Sequence, residues 1–214
     1  MSKRRHGFSL VELVTALTLF LGVIGSLSLA AGRGLGLFQD SGVRLEVRTR
    51  AEKAIDRAAR ELLGAVASSL TPDVLSAPSA WTSELSFSRG ADWLGGAPVL
   101  TPSMRLAWEF SPGESDDGTD ENNNGLIDEG DIVLVLDEGL PTELRTVLAT
   151  GMAEFLEGEL PNGVDDNGNG LIDESGFCIA REGSLLILRA TAARATSSTT
   201  TLQYTEEAAV GIRN

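Results

Sequence analysis

The sequence predicts an α+β chain: one long N-terminal, membrane-spanning helix packed on an antiparallel β-sheet head that carries two calcium-type loops. Three observations predict it. A 24-residue apolar run, Phe8 to Ala31, holds a single ionisable side chain, Glu12. Helical periodicity resumes after that run and changes to a period of two from Trp81 onward, the helix-then-strands order of an α+β chain. An acidic, Asn-rich segment then occurs twice, 45 residues apart.

As a helix, the apolar run reaches roughly 36 Å and can cross a hydrocarbon core of roughly 30 Å. Lys3, Arg4 and Arg5 precede it with no acid among them, so the positive-inside bias keeps the N-terminus cytoplasmic and carries Gly32 onward across the membrane. Glu12 is costly near one end of such a span, by up to about 2.5 to 3.5 kcal/mol, and needs a partner. The span offers no Lys, Arg or His. A cut between Gly7 and Phe8 would create an α-amine four residues before Glu12 on the same helix face. Two plainer readings stay open: a secretory signal cleaved near Ser28-Leu29-Ala30, and a simple signal-anchor helix. Neither accounts for Glu12.

Gly7, Phe8 and Glu12, behind a basic leader and heading an apolar helix, resemble the start of type IV pilins and type II secretion pseudopilins. The resemblance implies cleavage after Gly7 by a prepilin peptidase, N-methylation of Phe8, and use of Glu12 to dock the subunit against a neighbour's Phe8 amine in a filament. It implies a leader over 1–7, a stem helix whose transmembrane half is 8–31 and whose amphipathic half is 32–70, and a periplasmic β-rich head over 71–214. The protein would then be a single-pass inner-membrane protein whose partners are other pilin or pseudopilin subunits, the peptidase and the membrane. Family members at the extreme filament tip often lack the glutamate, so Glu12 implies a place below another subunit.

In the stem, Gly32, Gly34 and Gly36 each lower helicity by roughly 1 kcal/mol, which predicts a bend or melted turn. Beyond them Ile55, Ala58, Ala59, Leu62, Leu63 and Val66 share one face, and Glu46/Arg50 and Asp56/Arg60 stand four apart as helical ion pairs. An independent surface helix would show the same pattern. The wording RAEKAIDRAARELLGA, Arg50 to Ala65, is similar to the segment after the anchor in J-type minor pseudopilins and W-type minor pilins. The closing AAVGIRN resembles the last strand of the latter.

Strands are predicted from the alternation of Leu85 and Phe87, from Met104, Leu106, Trp108 and Phe110, and from the apolar run Ile132 to Leu136. Further candidates are Leu144 to Leu148, Ala153 to Leu156, Leu185 to Ala190, Leu202 to Tyr204 and Val210 to Ile212. The sheet is expected to pack on the amphipathic face of the stem.

The repeated segments, from Asp117 to Glu129 and from Asn162 to Glu174, each place Gly at the sixth and an apolar residue at the eighth position of a calcium-loop pattern. In the first, Asp120, Asn122 and Asn124 converge, Gly125 turns, the Leu126 carbonyl points inward, Asp128 and Asp131 close the shell, and Ile127 plugs the loop into apolar neighbours. Carboxylates gathered without Lys or Arg repel one another, which a hard divalent cation resolves. The second offers Asp165, Asn167, Asn169, the Leu171 carbonyl and Asp173, but Gly176 stands at the twelfth position, so the closing ligand must be Glu174, a carboxylate from elsewhere, or water. Asp131 in place of the usual bidentate Glu predicts extracellular-grade affinity, about 10⁻⁴ to 10⁻³ M. One calcium ion is expected in the first loop and a second if the other also closes. The competing reading is a solvated, acidic Asn-Gly turn.

Net charge is −14, and −17 without Lys3, Arg4 and Arg5, so nucleic acid is an unexpected partner. Cys178 is the single cysteine, which rules out an internal disulfide and leaves calcium to staple the loops. His6 is the single histidine and precedes the cut, and neither a GxSxG nor a phosphate loop is present; no enzyme is expected. The alternative to a filament subunit is a membrane-tethered, calcium-dependent adhesion or recognition protein that borrows the export signal.

Overall fold

The computed structural model describes residues 9–72, 80–94, 97–197 and 200–212. They form a mixed α+β arrangement: helix α1 (Leu10–Leu62) followed by strands β1 (Trp81–Thr82), β2 (Glu84–Phe87), β3 (Gly90–Leu94), β4 (Ala97–Leu100), β5 (Met104–Phe110), β6 (Gly130–Leu136), β7 (Leu144–Met152), β8 (Phe177–Glu182), β9 (Leu185–Ser197) and β10 (Thr200–Gly211). The chain divides into two compact units, Met1–Val43 and Arg44–Asn214.

In the first unit, Leu10–Ala30 has mean hydropathy 2.1 and is long and apolar enough to span a membrane. Its hydroxyls return to the helix backbone: Thr15 donates to the carbonyls of Val11 and Glu12, Thr18 to Thr15, and Ser26 to Val23. The hydroxyls of Thr15, Thr18 and Ser26 are thereby satisfied inside the helix. The turn expected at Gly32, Gly34 and Gly36 is not melted; the helix passes through it. Each glycine still donates and accepts one helical bond, and extending an established helix avoids the cost of nucleating a new one.

The second unit begins on the helix. Val47, Ala51, Ala54, Ile55, Ala58 and Leu62 form its buried stripe, with spacings of three and four. Arg50 and Arg57 donate to the carbonyls of Ala193 on β9 and Leu148 on β7, while Glu46–Arg50 and Asp56–Arg60 pair at 3.0 and 2.6 Å. The helix stops at Leu62, short of position 70, because Gly64 turns the chain at φ +86° and Ala65 bridges Arg89. Leu63, expected in the core, is consequently exposed, whereas Val66 is buried.

The main sheet is antiparallel, in the order β1-β8-β9-β7-β6-β5-β2, with β10 paired along β9; β3 and β4 form a separate hairpin. Leu85, Phe87, Leu106, Ile132, Met152, Phe177, Ile179, Leu186 and Leu188 are among its fully buried large side chains. On the opposite face Ala107, Val133 and Val135 cluster. The Arg105 and Arg145 guanidiniums, both paired with Glu109 at 2.6 Å, extend along that face. This double burial explains the uninterrupted apolar run in β6.

Three strand expectations change. Ala153 to Leu156 makes one isolated bridge, Phe155 to Ser175, instead of a strand. The two short candidates near the C-terminus merge into β10, and β8 was hidden because Phe177 to Ala180 is buried on both sides and does not alternate. β7 and β9 pair only at Met152 and Ala192. The sheet opens beyond that point, and both acidic loops hang from its margins: one joins β5 to β6, the other precedes β8.

Candidate metal centre

Gly7 and Phe8 lie outside the described residues; Glu12 occupies the first turn of α1. The loop residues are all described.

The two loops share one backbone course, and the repeat is longer than the sequence pattern suggested, starting at Gly113-Glu114 and Gly158-Glu159. Residues 45 apart adopt the same left-handed conformations: Asn123 and Gly168 at φ 60° and 76°, Gly125 and Gly170 at 88° and 89°, Asp128 and Asp173 at 50°. At Gly125 a Cβ would also lie 2.7 Å from that of Ala195, so glycine is doubly required.

Asp120 opens the first loop by accepting the N–H of Asn124 at 3.1 Å on one oxygen and of Gly125 at 2.8 Å on the other. Asp165 does the same with Asn169 and Gly170, at 3.1 and 2.8 Å. Asn122 and Asn167 accept from residues 124 and 169 at 3.0 Å, and Asn124 and Asn169 from the N–H groups of Leu126 and Leu171 at 2.8 and 2.9 Å. These short-range bonds gather residues one, three and five of each pattern around one point.

The acid at that point is the glutamate of the shared Leu-Ile-Asp-Glu ending. Glu129 Oε1 accepts the side-chain amides of Asn122 and Asn124 at 2.7 and 2.6 Å, and Glu174 Oε1 that of Asn169 at 2.5 Å. Glu129 is 2% exposed and Glu174 fully buried, yet Oε2 of each has no hydrogen-bond partner. A buried carboxylate with an unpartnered oxygen costs several kcal/mol unless a cation compensates it. Two side-chain amides meet Glu129 and one meets Glu174, and with Asp120 and Asp165 opening the loops these residue types offer the all-oxygen chemistry of a hard divalent ion once the amides turn their oxygens inward. A cavity of about 450 Å³ lies beside the first loop, bordered by Asn122, Asn124, Glu129 and Asp131 on the loop side and by Arg50 and Arg194 opposite.

Other expected ligands take different places. Asp128 and Asp173 each accept two turn amides, those of Asp117 and Gly118 and of Asn162 and Gly163. Asp131, the second residue of β6, accepts the Ser111 hydroxyl at 2.8 Å, although it borders the same cavity. The plug is the side chain of Leu126, against Ala153 and Ala193, with Leu171 its buried counterpart; Ile127 and Ile172 are exposed. Gly176 is no missing ligand. A Cβ there would stand 1.7 Å from the Ala153 carbonyl, so close backbone passage demands glycine.

Two residues escaped the pattern because they precede it. Glu114 and Glu159 accept the N–H of Asn122 and Asn167, both at 2.9 Å, clamping each loop from outside. The recoverable signal was the repeat itself: Glu129 recurs as Glu174, while Asp131 recurs as Gly176. Nearby, Glu154 is pushed up to about 7 by burial and by the charges of Asp128 and Asp116. No family model, curated protein or solved structure shows significant similarity to the chain.

Proposed function

We propose that this protein is a minor subunit of a pilin-type filament, a type II secretion pseudopilus or type IV pilus, held in the inner membrane before assembly and carrying a periplasmic head stabilised by calcium. One observation carries the reading: Gly7-Phe8 and Glu12 sit behind three cations at the head of a helix that is long and apolar enough to span a membrane. A carboxylate in that position is expensive unless an amine meets it, and assembly supplies the amine of a neighbouring copy. The role is structural and not catalytic. A helix followed by an antiparallel sheet agrees with the expected architecture in general terms, and the buried, unpartnered oxygens of Glu129 and Glu174 support calcium in the head. A calcium staple suits a chain whose single cysteine is buried.

Mass spectrometry of the mature N-terminus tests the processing step. A start at N-methylated Phe8 is expected in cells that contain a prepilin peptidase, with Gly7→Ala blocking the cut. A start near Ala31, or an uncut chain in such cells, overturns the filament reading. Glu12→Ala should leave processing intact and abolish incorporation.

A further inference from the structure

The first loop carries an acidic cluster outside the point where Asn122, Asn124 and Glu129 meet. Carboxylate oxygens of Glu114, Glu121 and Asp128 all lie within 4.8 Å of one another. Two oxygens bound to opposite sides of one calcium ion stand about 4.6 to 5.2 Å apart, so one ion can touch all three. Glu114 is 8% exposed, and its Oε2 is enclosed without a partner while Oε1 is occupied by the Asn122 N–H.

The second loop supplies an internal comparison, since it has the same backbone and lacks the cluster. There Glu159 uses both oxygens, accepting Asn167 N–H at 2.9 Å and Asp173 N–H at 3.3 Å. The residue equivalent to Glu121 is Asp166, which takes the Asn162 side-chain amide at 2.7 Å; the residue equivalent to Asn162 in the first loop is Asp117, another acid. The second loop thus closes this position with its own hydrogen bonds. The first gathers acids there; Asp117 and Glu121 accept the hydroxyls of Ser115 and Thr119, and Oε2 of the buried Glu114 is left unpartnered.

We infer that the first loop binds an additional calcium-type cation through Glu114, Glu121 and Asp128, a site with no equivalent in the second loop. The inference deepens the calcium reading above and rests on it for the identity of the ion, but its ligands are separate. Glu121 is exposed, so Glu121→Gln removes a ligand charge without touching the core.

Equilibrium dialysis of the full chain in detergent with radioactive calcium at neutral pH counts the ions. Glu121→Gln is expected to lose one equivalent relative to wild type. The double variant Glu129→Gln/Glu174→Gln should lose two and retain the one that Glu121→Gln removes. Glu114→Gln, which keeps an oxygen for the Asn122 N–H, should behave like Glu121→Gln. Unchanged calcium in both Glu114→Gln and Glu121→Gln, as a proton shared between those carboxyls would give, overturns the additional site and leaves the loop sites standing. Loss in Glu121→Gln with no loss in the double variant overturns the loop sites and leaves this one.

Discussion

Glu129→Gln separates a metal ligand from a structural hydrogen-bond acceptor. Glutamine keeps the shape of the side chain and an oxygen for the amides of Asn122 and Asn124, but removes a buried charge whose Oε2 has no partner. In chelator the variant should therefore be as stable as wild type or more so, since deleting an uncompensated buried charge relieves desolvation cost. Calcium should then help it less. With dissociation constants of about 10⁻⁴ to 10⁻³ M, calcium at about 10 mM stabilises the native state by roughly 1.4 to 2.7 kcal/mol for each occupied site. For a folded unit of the size of Arg44–Asn214, that is a rise in Tm of roughly 3–11 °C per site. Thermal unfolding of the full chain in detergent, followed by circular dichroism with chelator and with calcium, should show the variant losing the rise due to the first loop. The reasoning fails if the calcium-induced rise in Glu129→Gln equals that of wild type, or if the variant is destabilised in chelator by more than about 1 kcal/mol, the mark of an ordinary acceptor.

Three further outcomes follow from the packing. Gly176→Ala should prevent stable folding, because its Cβ would stand 1.7 Å from the Ala153 carbonyl; a cooperative unfolding transition near that of wild type would contradict the close passage. Phe177→Ala empties a fully buried position of β8 and should lower stability by about 3 to 5 kcal/mol in denaturant titrations, without changing the number of calcium ions bound. Burial pushes the Cys178 thiol up to about 12, with Glu174 adding to the shift and Arg189 opposing it, so a thiol reagent at pH 8 should react with Cys178 only after unfolding. The unfolded thiol ionises first, so stability is lost as pH rises from about 9 towards 12.

Features that depend on nearby residues were legible in the sequence. The apolar span, the ion pairs at four-residue spacing, the strands β2, β5 and β6 and the turn-forming Asp, Asn and Gly of both loops each depend on neighbours a few positions away. Elsewhere long-range packing overrides local preference. Helix α1 crosses three glycines because helix flanks them on both sides, and it ends at Leu62 because Ala65 is claimed by Arg89. β8 was missed because burial on both faces erases alternation.

The candidate site divides along the same line. Sequence alone determined that two acidic loops exist, that Asp120, Asn122 and Asn124 and their counterparts Asp165, Asn167 and Asn169 converge, and that an exceptional carboxylate, Glu12, heads the apolar helix. Tertiary structure decided which acids carry an unmet need. Glu129, Glu174 and Glu114 are buried with an unpartnered oxygen, whereas Asp173 and Asp131 have their charge answered by turn amides or by Ser111. Spacing can bring carboxylates near one another, but their free energy depends on which of them water and N–H donors still reach. That is settled by residues far away in the chain: Leu126 packs against Ala193, and Gly176 passes beneath Ala153.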